Sequence, residues 1–147
     1  MTYKLDHIAI QTNDYENTVG WYKAYFECEE TWGRRWDQLP AGIQERMPTK
    51  NLVELKVDEI RFHIFDMQQD YIDIPEQALQ YQHFAITVDT MDDLHAMREK
   101  WIMLYKSGNY QYRKTSQPTE IIPSPGNMNC FYAYDPNGLE FEIIHFG

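Results

Sequence analysis

Four side chains able to bind a divalent cation interrupt apolar stretches of this chain: His7, His63, His83 and Glu142. His7 stands in Leu5-Asp6-His7-Ile8-Ala9-Ile10-Gln11, and His63 between Phe62 and Ile64. His83 opens His83-Phe84-Ala85-Ile86-Thr87-Val88, and Glu142 lies between Phe141 and Ile143. Burying a carboxylate in an apolar strand is expensive unless a cation pairs with it. Imidazole and carboxylate donors suit Fe, Mn, Co, Ni or Zn, and no thiolate position is implicated. Two His and one Glu would make a facial triad with open positions. A fourth ligand, His63, would leave two cis sites.

The elements that must position these residues form a repeat. Leu5 to Gln11 alternates as a strand does, with Ile8 and Ile10 on one face and Leu5, His7 and Ala9 on the other. Asn13 or Asp14 is placed to cap a helix carrying Tyr15, Val19, Tyr22 and Phe26. Residues 27–50 read as loop, with one strand around Thr31 to Trp36. Asn51 to Val57 and Ile60 to Phe65 then form a hairpin about Asp58-Glu59. A polar, acidic linker follows over about 67–80, and the pattern begins again. Gln82 to Val88 parallels Asp6 to Thr12, and Thr90 with Asp93 makes a capping-box start for a second helix carrying Met91, Leu94, Met97, Trp101 and Leu104. A Tyr-rich loop from Tyr105 to Asn127 leads to a terminal hairpin whose turn is Asp135-Pro136-Asn137-Gly138.

The reading is therefore α+β: one domain of two tandem strand–helix–strands modules, about 1–66 and 81–147. His7 falls on His83 at an offset of 76, and His63 on Glu142 at an offset of 79, the extra residues fitting in loops. The metal-competent side chains thus occupy two pairs of equivalent positions. His145 is out of phase with Glu142 and is read as a non-ligand, and His95 belongs to the second helix. Glu140 shares Glu142's face by alternation.

The βαβββ repeat, the Leu5-Asp6-His7-Ile8-Ala9-Ile10 opening and the Asp135-Pro136-Asn137-Gly138-x-x-x-Glu142 close resemble the vicinal oxygen chelate superfamily. That superfamily includes glyoxalase I, methylmalonyl-CoA epimerase, fosfomycin-resistance proteins and extradiol dioxygenases. The resemblance implies curled mixed sheets forming a metal-binding cup, completed within one chain or across a homodimer. It implies His7, His63, His83 and Glu142 as ligands of one divalent transition metal. Phe131-Tyr132-x-x-Asp135-Pro136-x-Gly138-x-x-x-Glu142 is similar to the closing signature of extradiol dioxygenases, whose tyrosine there stands behind the ligands. Their upstream histidine is absent, because Pro123-Ser124-Pro125 occupies that window.

The resemblance implies a metal-dependent isomerase or lyase of the glyoxalase or epimerase kind, with Glu142 or Glu140 moving a proton. A non-haem Fe(II) dioxygenase using His7, His83 and Glu142, with Tyr132 nearby, is the alternative. A metal-free binder of the drug-sequestering kind comes third, since such proteins do not need the four residues. Trp32, Trp36, Tyr105, Tyr110 and Tyr112 are candidates to wall a pocket for a small, aromatic or extended substrate. Arg34, Arg35, Arg46 and Arg113 are candidates to meet an anionic group on it.

Composition bounds the rest. With 147 residues the chain is long enough for one domain with a real core or two small similar modules. A net charge of −10 argues against a nucleic-acid partner. Two cysteines, Cys28 and Cys130, fit a reducing compartment, and no apolar run reaches membrane-spanning length. A cytoplasmic protein without a membrane partner is expected.

Overall fold

A computed structural model describes residues 5–45, 49–67 and 83–147. The chain separates into two compact units, Met1–Ile74 and Pro75–Gly147. Most of the expected linker, and Arg46, lie outside the described residues.

The first unit runs β1 (Ile8–Thr12), α1 (Tyr15–Phe26), β2 (Glu29–Arg34), a 3-10 turn (Trp36–Gln38), a short α2 (Ala41–Gln44), β3 (Thr49–Val57) and β4 (Ile60–Met67). Its four strands form one mixed sheet in the order β1-β4-β3-β2. β1 is parallel to β4, and β4, β3 and β2 pair antiparallel. The second unit runs β5 (His83–Thr87), α3 (Met91–Ser107), β6 (Ile122–Ser124), β7 (Met128–Tyr134) and β8 (Glu140–Phe146). Its sheet has the order β5-β8-β7-β6, again with the first and last strands parallel. Both units are βαβββ modules, and the whole is α+β.

Strand alternation decides which face meets the helix. In the first unit Ile10, Val53, Leu55, Phe62 and Ile64 are buried, with Trp21, Tyr22, Tyr25 and Phe26 of α1. Trp21 stacks on Tyr25 at 4.7 Å, and Tyr22 and Phe26 meet Phe62 at 5.0 and 5.3 Å. The expected helix stripe contained Val19, Tyr22 and Phe26, but Trp21 and Tyr25 are also fully buried. α1 is thus wrapped more widely than one narrow stripe. In the second unit Leu94 and Trp101 of α3 are buried along with Phe84, Phe131, Phe141 and Ile143. The Trp101 indole N–H donates to the Tyr134 carbonyl at 2.8 Å, tying α3 to the end of β7.

Local chemistry sets the ends. Thr90 and Asp93 form the reciprocal capping box at the start of α3. At α1 the N-cap position is Asp14, but its side chain makes no capping bond. The buried Thr12 organises this corner instead. Its hydroxyl oxygen accepts from the Asp14 N–H at 2.9 Å and lies 2.8 Å from the Thr18 hydroxyl. In the last turn the Asp135 carboxylate accepts from the N–H groups of Asn137 and Leu139 at 2.9 and 2.8 Å. Gly138 adopts φ 83°, a conformation that favours glycine. No helix among the described residues is long and apolar enough to cross a membrane.

Replacing Thr90 with Ala should cost about 1 kcal/mol, the usual value of a helix N-cap. Thr12→Val keeps the shape but removes the acceptor of the Asp14 N–H and the contact to the Thr18 hydroxyl, and should cost about 1–3 kcal/mol. Urea denaturation followed by circular dichroism measures both, and Thr12→Val should be the more damaging.

Candidate functional site

In each unit the sheet face turned away from the helix carries ionisable side chains. In the first, β4 is central: Ala9 of β1 lies opposite His63 on one side, and Glu54 of β3 on the other. His63 Nε2 and Glu54 Oε2 are 2.8 Å apart, and both residues are buried. The second Glu54 oxygen accepts from the Thr31 hydroxyl at 2.7 Å. Thr31 and His63 together hold the Glu54 carboxyl below its ordinary pKa, because hydrogen bonds favour the charged form. His7, just before β1, stacks face to face on His63 with ring centroids 3.7 Å apart. Its Nδ1 lies 2.7 Å from Asp6 Oδ2, and Asp6 also meets Arg61 at 3.6 Å. Trp32 stands edge-on to His63 at 5.2 Å and remains 45% exposed, so its indole borders the His7–His63 stack and faces solvent.

The second unit repeats the register with other residues. Ala85 lies opposite Glu142, and His83 opposite Glu140. Tyr132 is across from Glu142 on the other side. His83 Nε2 is 3.3 Å from Glu142 Oε2, and its Nδ1 is 3.8 Å from Glu140 Oε1. Tyr132 meets the His83 ring edge-on at 5.5 Å. Hydrogen bonding to the Glu142 carboxylate, with burial, pushes the Tyr132 hydroxyl up to about 12. Burial and the same carboxylate raise the Cys130 thiol. Yet no hydrogen bond of good geometry reaches Glu142 Oε1 or His83 Nδ1, although both atoms are buried. A buried carboxylate oxygen left so costs about 1–3 kcal/mol or more.

The other expected residues lie as follows. Trp36 begins the 3-10 turn, where its N–H donates to Asn51 and its carbonyl accepts from Gln44. Tyr112 packs on Trp101 and Tyr105, with centroids 5.4 and 5.0 Å away, so it joins the aromatic cluster on α3. Arg113 is exposed, and its backbone N–H donates to the Pro136 carbonyl. His95 is exposed on α3, and His145 faces the Val88 carbonyl at 3.3 Å. Glu54 was not among the expected residues. Its signal was available: like Glu142, it is a carboxylate inside an apolar strand, Leu52-Val53-Glu54-Leu55.

The residues fit a divalent cation in their chemistry. Two ligand atoms at cis positions, each about 2.1 Å from a metal, stand roughly 3 Å apart. The 3.3 Å between His83 Nε2 and Glu142 Oε2 is close to that. The orphaned Glu142 oxygen is what a cation would satisfy. Among the described residues, however, no three His, Cys, Asp or Glu side chains are gathered as a bound metal requires.

Comparison with known proteins agrees with this architecture. The chain is similar to a glyoxylase/bleomycin resistance protein/dioxygenase domain from Frankia sp. EAN1pec, with TM-score 0.72 and 15% identity over 100% of this chain and 94% of that one. It is similar to a variant of the fosfomycin resistance protein FosX from Listeria monocytogenes, complexed with Mn(II) and 1S,2S-dihydroxypropylphosphonic acid. There the TM-score is 0.66 at 18% identity, over 100% of this chain and 94% of that one. Lactoylglutathione lyase from Agrobacterium tumefaciens follows at TM-score 0.62 and 15% identity, covering 98% of this chain and 94% of that one. No curated protein sequence matches. These likenesses show the fold alone. The family model, however, matches residues 4–143, nearly the whole chain, and the chain belongs to the Glyoxalase/Bleomycin resistance protein/Dioxygenase superfamily.

Proposed function

We propose that this chain is a metal-dependent enzyme of its superfamily, an isomerase or lyase of the glyoxalase or epimerase kind. The carrying observation is the buried Glu142 carboxylate, one oxygen of which lacks a hydrogen-bond partner beside His83. His7, His63, His83 and Glu142 are taken as the residues that would hold the metal. Bound there, the cation supplies Lewis-acid stabilisation to two vicinal oxygens of a small substrate. The lactoylglutathione lyase and the Mn(II)-bound FosX among the similar structures support a reading of this class.

The chain's own residues do the rest. Glu140 lies 3.8 Å from His83 Nδ1, beyond hydrogen-bond range. Glu142 or Glu140 exchanges the proton on the carbon next to the substrate's chelated oxygens. Tyr132 keeps its proton at neutral pH, so it donates to a carboxylate or a substrate oxygen and does not act as a base. Trp32, half exposed at its rim, offers an aromatic wall. A proton transfer of this kind is redox-neutral.

A second reading, a non-haem Fe(II) dioxygenase, is favoured by one observation. Tyr132 leans on Glu142, as the tyrosine of the similar extradiol signature leans on its ligands. In that case His7, His83 and Glu142 are the triad and His63 only packs.

Apoprotein given Mn(II), Zn(II), Co(II) or Ni(II) should bind about one ion per chain, through ligands at roughly 2.0–2.2 Å. Glu142→Ala should lose most of the metal, whereas Glu140→Ala should keep it; equal loss from both would misplace the ligand. With 2-oxo, hemithioacetal or acyl-CoA compounds, deuterium should exchange next to the carbonyl without oxygen uptake. Oxygen consumption that appears only with Fe(II) and a catechol would promote the second reading in its place.

A further inference from the structure

Thr31 and Glu54 have no part in either reading above, although Glu54 is a buried carboxylate inside a sheet. An ionised carboxylate only accepts hydrogen bonds. The 2.8 Å contact between Glu54 Oε2 and His63 Nε2 therefore requires the proton on Nε2. In the neutral ring Nδ1 then carries the lone pair. Glu54 cannot turn away, because its other oxygen is held by the Thr31 hydroxyl at 2.7 Å. Thr31 reaches it because the β2–β3 register shifts between Glu30 and Trp32. The extra residue of such a bulge re-aims its side chain. Beside the pair, His7 stacks on one face of the His63 ring and Trp32 meets it edge-on.

We infer that Glu54 is a positioning residue: it fixes His63 as the Nε2–H tautomer and so presents Nδ1 as the metal-binding nitrogen. A metal-bound imidazole commonly hands its other N–H to a carboxylate, which orients the ring and raises its basicity. The inference rests on the metal reading in which His63 is a ligand. It also gives the bulge at Thr31 a purpose.

The test has two readouts on the full chain. In metal-free protein above neutral pH, nitrogen-15 spectra of the histidine rings should show His63 with a protonated, slowly exchanging Nε2 and a bare Nδ1. In Glu54→Ala that slow proton should vanish. Titration with Mn(II) alone should show a Kd raised about 10–100-fold in Glu54→Ala. Thr31→Val should shift it in the same direction by less, and it serves if Glu54→Ala does not fold. An Nδ1–H tautomer in the wild type, or wild-type Mn(II) affinity in both variants, would overturn the inference. If the wild type binds no Mn(II), the metal reading fails by itself. The slow Nε2 proton and its loss in Glu54→Ala then still decide whether Glu54 fixes the His63 ring.

Discussion

A charged group in the middle of a sheet has to find a partner, and this constraint governs both units. Each sheet spends one face on its helix, where most side chains are apolar or aromatic. The opposite face carries His63 and Glu54 in one unit and Glu142 in the other, all buried. Removing such groups from water costs more than ordinary packing returns unless hydrogen bonds or opposite charges compensate. In the first unit the compensation is internal: Thr31 holds Glu54, Glu54 holds His63, and Asp6 holds His7. In the second it is incomplete, since Glu142 Oε1 and His83 Nδ1 lack good hydrogen bonds. The same scaffold thus carries one closed network and one open one. The open one is where a ligand gains most.

The register makes the two networks comparable. The parallel pairing of first and last strands sets Ala9 opposite His63 and Ala85 opposite Glu142. The neighbouring antiparallel strand sets Glu54 opposite His63 and Tyr132 opposite Glu142. So Glu54 and Tyr132 are counterparts, as are His63 and Glu142. At each level one residue carries a carboxyl group and its cross-strand partner a hydrogen-bonding ring. The order is exchanged between the units. The two backbones share the pairing and differ in which strand holds the carboxylate.

Membership of the superfamily sets the fold but leaves the reaction to the side chains. Similar structures at 15–18% identity include a lyase and a resistance protein, so a shared architecture hosts different chemistry. In this chain the helix-free faces carry a histidine at 63 with a glutamate at 54 across from it, and a tyrosine at 132 across from Glu142.

The sequence by itself determined the elements whose causes are local. Alternation marked β1, β4, β5 and β8. The Thr90–Asp93 spacing marked the start of α3, and Asp135-Pro136-Asn137-Gly138 marked the last turn. The repeat then paired His7 with His83 and His63 with Glu142, because matching positions in two copies can be counted without knowing how strands pair. Tertiary structure decided whatever depends on pairing between distant strands. Glu54 meets His63 only because β3 and β4 adopt one particular register. Thr31 reaches Glu54 only through a bulge that no propensity announces. Thr12 organises the start of α1 because its hydroxyl is buried against Thr18, so local capping preference at Asp14 yields to a packed corner. Tyr112, one of several aromatics in a loop, joins Trp101 and Tyr105 because that loop returns to α3. Hydrogen-bond distances and the orphaned oxygen of Glu142 belong to the same class: they follow from where folding sets the atoms, and periodicity carries no record of that.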